Sequence, residues 1–215
     1  MTKIVAIIPI KSNSERVTKK NFKKIRGKPL YEYLLNKLTN VHFDEIYVDT
    51  DSPEIKKYSQ KKGYFVIDRI PKLLKKSASG NDLLNYHSKI INADIYFQLF
   101  VTSPLIKEET INNCIKILKN TKKYDSILTS ELLYTWGWFN NKPVNYNPNK
   151  LPRSQDAKPL IIETTALYGI KRKALIKKKS RIGNNPYFYN IKGDECIDLD
   201  NENDFKYLEY IIKKN

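Results

Sequence analysis

Up to residue 130 the sequence alternates short apolar runs with longer stretches whose apolar residues fall at helical spacing. Ile4–Pro9 is an apolar run closed by proline, the pattern of a buried strand. Leu30–Leu38 follows Gly27-Lys28-Pro29 and sets Leu30, Tyr33, Leu34 and Leu38 on one helical face. Glu45–Val48 reads as a second strand. Pro53 then suits the first turn of a helix running to about Lys62, and Gly63 ends it. Tyr64–Ile67 predicts a third strand, Asp82–Ile91 a helix and Ile95–Phe100 a strand. Glu108–Leu118 predicts a helix with Ile111, Cys114, Ile115 and Leu118 inward, and Ser126–Thr129 another strand. Parallel neighbours need a crossover that carries the chain back to the same end. The alternation therefore predicts an α/β domain with a mostly parallel sheet and helices on both faces.

Ligands of such sheets gather at the carboxyl ends of the strands. Here those ends carry Lys11–Asn21, Thr50-Asp51 and Thr102-Ser103-Pro104. The first loop supplies Lys11, Arg16, Lys19 and Lys20 as cations, and Ser12, Asn13 and Ser14 as neutral donors, against the single charge of Glu15. Arginine offers a planar fork, lysine a point charge, and loop N–H groups can converge on the same anion. That is the chemistry of a polyphosphate site. The loop has no glycine, so it is not the glycine-rich phosphate cradle. The plainer alternative is a solvated basic loop.

Near the other end, Ile197-Asp198-Leu199-Asp200 reads as a short strand. Its period puts Asp198 and Asp200 on one face and turns Ile197 and Leu199 into the core. Two adjacent carboxylates repel unless a cation lies between them, and Mg²⁺ (or Mn²⁺) accepts one or two carboxylates together with phosphate oxygens. The alternative is that Asp200 caps the closing amphipathic helix, Glu202–Ile212.

Between Glu131 and Leu160 the rhythm breaks. Trp136, Trp138, Phe139 and Tyr146 appear without clear period among prolines and a glycine, which predicts an interface lobe at about 131–160 within one domain spanning 1–215. Ile161–Tyr168 and Tyr187–Ile191 read as further strands.

The net charge is +16, from 39 Lys+Arg against 23 Asp+Glu. It invites a nucleic-acid reading, and a basic RNA binder stacking bases on its 15 tyrosines is the rival of another class. The lysine doublets, from Lys19-Lys20 to Lys213-Lys214, are spread along the whole chain, which predicts a solvated basic surface and no nucleic-acid partner. Cys114 and Cys196 read as buried thiols of a reducing cytoplasm. Ile4–Ile10 is too short for a secretory core, and no apolar run approaches the roughly 20 residues of a membrane span, so a cytoplasmic location with no membrane partner is expected. His42 and His87 read as surface residues, which leaves little material for covalent triad chemistry.

Taken in order, the motifs form one pattern: Pro9-Ile10-Lys11, Ser14, Lys20-Asn21, Gly27-Lys28-Pro29-Leu30, Gln98 to Leu105, Arg153 to Asp156, Glu163 to Tyr168, and Asp198-Leu199-Asp200 with Asp204-Phe205. This order resembles the acylneuraminate cytidylyltransferase family over nearly the whole chain. The resemblance implies a single Rossmann-like nucleotidyltransferase domain, a homodimer, and a reaction joining CTP to a nine-carbon 2-keto sugar acid with release of pyrophosphate. It implies Lys11, Arg16 and Lys20 as catalytic cations at the triphosphate. Ser14, Asn21, Asp51, Arg69, Ser79 and Asn81 join Lys11 and Lys20 around the nucleotide. Gln98, Thr102, Ser103, Arg153, Gln155, Glu163, Thr164 and Tyr168 face the sugar, and Asp198 and Asp200 hold Mg²⁺ (or Mn²⁺). Three departures stand out. Lys11 replaces an arginine, Ser154 replaces the second arginine of a pair, and Thr164-Thr165 replaces Asn-Gly. The last two fall on the sugar side. A pseudaminic- or legionaminic-type acid is therefore at least as well suited as N-acetylneuraminic acid, and a synthetase acting on the eight-carbon acid Kdo is the nearest alternative.

Overall fold

The computed structural model describes residues 1–14 and 17–214, with the backbone alone for Ser154. Glu15, Arg16 and Asn215 lie outside the described residues, and with them the expectation for Arg16. Seven strands form the main sheet: β1 Ile4–Ile10, β2 Glu45–Thr50, β3 Phe65–Asp68, β4 Ile95–Leu99, β5 Ser126–Leu133, β6 Leu160–Lys171 and β7 Pro186–Asn190. Their order is β7-β5-β6-β4-β1-β2-β3. β6 runs antiparallel to both of its neighbours, and the other pairings are parallel.

The pleat of β1 explains the layers. Ile4, Ala6, Ile8 and Ile10 point to one face, where they pack with Leu34 and Leu35 of α1 (Leu30–Lys37), Ile55 of α2 (Pro53–Lys61) and Ile111 and Cys114 of α5 (Glu108–Asn120). Val5 and Ile7 point to the other, against Leu84 of α4 (Gly80–Ile90) and Leu175 of α6 (Arg172–Lys178). A strand covered on both sides must be apolar throughout, as this one is. A one-turn helix, α3 (Pro71–Leu74), follows β3. The closing helix α7 (Glu202–Lys214) packs Phe205 and Leu208 on Leu199, Val17, Ile25 and Leu30, above the strand ends. The result is a Rossmann-like α/β domain, as the sequence rhythm predicts.

Two expectations change. Ile197–Asp200 is not a strand of the sheet. Its central backbone is bound elsewhere: the N–H of Leu199 donates to the carbonyl of Thr102 at 2.8 Å, and its carbonyl accepts from Lys20 Nζ at 2.5 Å. Asp200 does not cap α7 either. The Asp204 carboxylate accepts from the N–H groups of Asp200 and Asn201, and Asn201 Oδ1 accepts from those of Asn203 and Asp204. The segment 134–159 forms a small hairpin, Trp138–Phe139 against Lys142–Pro143, and a 3-10 turn at Ser154–Asp156. No helix among the described residues is long and apolar enough to cross a membrane.

Candidate active site

The pairing of β1 with β4 stops at Ile7↔Gln98, while its pairing with β2 runs on to Ile10↔Thr50. The strands part at their carboxyl ends. This is also where the sheet order reverses, since the chain fills β2 and β3 on one side of β1 and then opens β4 on the other. A crevice must form there. It holds a cavity of about 360 Å³, lined by Lys11, Ser14, Lys20, Asn21, Arg69, Thr102 and Asp200 among others.

The loop after β1 reaches this cavity through a backbone reversal. Lys19 has φ +51°, in the left-handed region, and the 3-10 turn Lys20–Phe22 begins just after it. The turn splits the lysine doublet. Lys19 faces solvent, whereas Lys20 is only 9% exposed, with Nζ on the Leu199 carbonyl and 3.5 Å from Asp200 Oδ1. Asn21 Nδ2 donates to the Lys11 carbonyl at 2.8 Å and ties the loop's two ends together. Beside it, Asp51 accepts from the backbone N–H and hydroxyl of Ser12. Burial pushes the Asp51 carboxyl up, but the bonds from Ser12 and the charge of Arg69 outweigh it and hold it below the ordinary range.

Arg69 sits on the same cavity, 8% exposed, and is fixed from behind. Its Nε donates to Asp49 Oδ1 at 3.0 Å and its Nη2 to the Asp49 carbonyl at 2.9 Å. The other Asp49 oxygen meets His87 Nε2 at 2.9 Å. His87 is thus fully buried, against the surface position expected from sequence; His42 is exposed as expected. The sequence hid this because His87 lies in an amphipathic helix, and only the fold brings it under β2. Ser79 serves locally, accepting from Asp82 N in the capping box that starts α4, and Asn81 Oδ1 accepts from the N–H of Arg181.

The two C-terminal aspartates flank buried Leu199. Asp200 lines the cavity beside Lys20. Asp198 turns to β6, where its Oδ2 accepts from Thr165 Oγ1 at 2.7 Å; its Oδ1 is buried without a hydrogen-bond partner among the described residues. A bare buried carboxylate oxygen is costly unless a cation meets it. The donor set therefore fits a hard divalent ion. No cluster of three or more His, Cys, Asp or Glu side chains gathers among the described residues, so most of that ion's ligands would come from substrate and water.

Thr165 reaches Asp198 because β6 bulges. Glu163 pairs with Ser130 and Tyr168 with Leu128, so residues 164–167 stand opposite Thr129 alone. Thr129 Oγ1 holds the bulge, accepting from Thr164 Oγ1 at 2.8 Å and from the N–H of Leu167 at 3.2 Å. Thr164, expected to face the sugar, is thereby turned into the sheet, and Thr165 is the one aimed at the carboxylates. Gln98 and Ser103 are fully buried, and Tyr168 nearly so. The Tyr168 hydroxyl donates to Glu163 Oε2 at 2.7 Å; burial first, and that bond second, push its phenol up. Arg153 and Gln155 do not join the cluster from this chain: both are exposed, and Arg153 Nε donates to Asp156 Oδ2 at 2.6 Å.

A crevice with buried cations at the reversal point marks the broad class of α/β proteins that hold nucleotides at the ends of their strands. Comparison with known proteins narrows the class: residues 5–212 match the cytidylyltransferase family, and the chain belongs to it. It is 26% identical over 217 residues to N-acylneuraminate cytidylyltransferase A of Danio rerio, covering 96% of this chain and 50% of that protein. It is 25% identical over 228 residues to CMP-N,N'-diacetyllegionaminic acid synthase of Legionella pneumophila, covering 99% of this chain and 97% of that one. The chain thus spans about half the length of the first relative and nearly all of the second. The solved structure of CMP:2-keto-3-deoxy-manno-octonic acid synthetase complexed with CTP superposes with a TM-score of 0.75 at 18% identity, over 99% of each chain, which is a likeness of fold.

Proposed function

We propose that the protein transfers CMP from CTP to the anomeric hydroxyl of a nonulosonic acid, a nine-carbon 2-keto sugar acid, and releases pyrophosphate. The observation that carries this reading is the clamp on Leu199. Its carbonyl holds Lys20 in the cavity, and the aspartates on either side present one carboxylate to that lysine and one bare oxygen. Cations for a polyphosphate and anions for a divalent ion meet at one strand end.

In this reading Lys11 and Lys20 hold the triphosphate, and Arg69, locked by Asp49, stands at the base. The sugar hydroxyl attacks the α-phosphorus in line. A new O–P bond forms, the bond to the bridging oxygen breaks, pyrophosphate departs, and the hydroxyl proton passes to solvent. Such transfers are accelerated mainly by positioning and charge stabilisation, so no covalent nucleophile is called for. Asp198 and Asp200 would hold Mg²⁺ (or Mn²⁺), which supplies positive charge to the phosphate oxygens. The test is pyrophosphate release from CTP with a panel of sugar acids: N-acetylneuraminic, legionaminic-type, pseudaminic-type and Kdo. Release with a nine-carbon acid, abolished by chelator, is expected. No release with any acid, together with RNA affinity falling steeply with salt, overturns the reading in favour of the RNA binder.

The protein acts as a homodimer in this reading. Trp138 and Phe139 of the small hairpin are 58% and 70% exposed, and Tyr134 and Val144 of the same segment are exposed as well. An apolar segment of this kind is normally covered, and a second copy of the chain is the cover this reading assigns to it. Light scattering should give twice the 25.2 kDa chain mass, and Phe139→Glu should shift it toward one.

A further inference from the structure

Beside Phe100, which lines the crevice, lies a guanidinium that none of the motifs includes. Arg181 lies flat on Tyr168, its guanidinium carbon 3.7 Å from the ring centroid, and 5.7 Å from the centroid of Phe100. Its backbone is pinned by Asn81, and the carbonyl of Lys179, two residues earlier, accepts from Asn85 Nδ2 at 2.7 Å. The guanidinium packs against Gly80: a Cβ there would stand 2.6 Å from Nη1 and 3.3 Å from Gln98 Oε1, so Nη1 would have to shift. Gln98 donates its Nε2 to the Gly80 carbonyl at 3.1 Å, while its Oε1 is buried with no hydrogen-bond partner among the described residues. The first turn of α4 thus gathers a stacked cation and an unused buried acceptor at one point.

That cation has no counter-charge among the described residues. Arg181 forms no salt bridge there, whereas Arg69 is matched by Asp49, Arg153 by Asp156 and Lys20 by Asp200. It also lies near the proposed metal carboxylates, since Tyr168 beneath it is three residues along β6 from Thr165, which binds Asp198. A guanidinium held by an aromatic face keeps its fork free for a planar anion. Resting on the function proposed above, the sugar acid brings one formal charge, its carboxylate, attached to the carbon whose hydroxyl reacts.

We propose that Arg181 receives the carboxylate of the sugar acid, while Gln98 Oε1 accepts a hydroxyl or amide hydrogen of the same sugar. Arg181 is then a specificity-determining residue. It selects acids over their neutral analogues, and α4 positions it.

The experiment uses the full chain with the panel acid that gives the most pyrophosphate, and the C1 carboxamide of that same acid. The wild type is expected to discriminate against the carboxamide by about 10- to 100-fold in kcat/KM, the scale of a lost hydrogen bond to a charged group. Arg181→Gln should raise KM for the acid by a similar factor, leave KM for CTP within about twofold, and erase the discrimination. Gly80→Ala, which displaces Nη1 but keeps the charge, should move the acid's KM in the same direction. Equal turnover of acid and carboxamide by the wild type overturns the proposal, as does an Arg181→Gln loss that is the same for both. No pyrophosphate with any acid would instead overturn the function proposed above, and this inference with it.

Discussion

The two walls of the crevice are built differently. On the wall beneath β1 and β2, three polar groups are held by buried partners: Lys20 by Leu199, Arg69 by Asp49 and Asp49 by His87. On the wall beneath β6 the groups are looser. Arg181 is held by stacking, and Gln98 Oε1 and Asp198 Oδ1 have no partner among the described residues. A rigid wall suits a ligand that does not vary, and a loosely held wall suits one that varies from protein to protein. The contrast is what would be expected if CTP binds the first wall and the sugar the second.

Removing the charges where the walls meet should have the largest effect. Asp198→Asn and Asp200→Asn should each keep the fold by circular dichroism and cut turnover by about 10²-fold or more, since charge stabilisation by a metal is worth several kcal/mol. Near-normal Mg²⁺-dependent turnover in both variants would dissolve the junction and leave two unrelated surfaces.

Next comes the lysine doublet. Lys20→Ala removes a cation from a site with little water, so kcat/KM should fall by about 2–4 kcal/mol, as for other fixed charge-stabilising donors. Lys19→Ala, on the solvent side of the same turn, changes net charge equally and should alter little. A diffuse basic surface predicts small, equal, salt-sensitive losses in both. Measuring the pair at two ionic strengths separates the explanations.

Arg69→Ala tests the rigid wall at its base end. It should raise KM for CTP by about tenfold, the scale of a lost hydrogen bond to a charged donor, and leave KM for the sugar nearly unchanged. It also leaves Asp49 buried without its guanidinium. Thermal unfolding should therefore occur at lower temperature, because breaking a buried ion pair by removing one partner costs about 3–5 kcal/mol, here lessened by the His87 contact that Asp49 keeps. A lower melting temperature with an unchanged CTP KM would make Arg69 a purely structural partner of Asp49.

These contrasts were unequally legible in the sequence. Strand–helix order, the parallel sheet and the strand-end clusters followed from periodicity, because burial on both faces leaves β1 no polar residue. The cavity positions of Lys20, Asn21 and Asp200 lay within the motifs, and Arg69 was reached only through what the resemblance implies. Long-range pairings were not legible. His87 and Asp49 are 38 residues apart, and nothing local to either shows that they meet. Arg181 was hidden the same way, since its partners Gly80 and Tyr168 come from α4 and β6. Asp198-Leu199-Asp200 misled differently. Its period is that of a strand, yet its backbone groups are bound by Thr102 and Lys20 before any strand could pair with them.

The smallest effect belongs to Thr165, where the looser wall stores a conflict. Its φ is +57°, and it is the one β-branched residue in the left-handed region among the described residues. Backbone of that kind costs about 1–3 kcal/mol for a residue with a Cβ, and glycine adopts it freely. Against this, Thr165 Oγ1 gives Asp198 Oδ2 a hydrogen bond to a charged acceptor, worth about 1.5–3 kcal/mol. Thr165→Gly removes both, so the opposing changes should nearly cancel and shift stability by about 1 kcal/mol or less. Thr165→Val keeps the strained backbone and loses only the bond, so it should be the less stable of the two. If Thr165 does more than hold Asp198 still, the glycine variant should lose turnover while its melting temperature stays put, and extra Mg²⁺ should restore part of the loss. Turnover that follows melting temperature in both variants would reduce the hydroxyl to a local support, and the looser wall would then contribute to sugar choice through Arg181 and Gln98 alone.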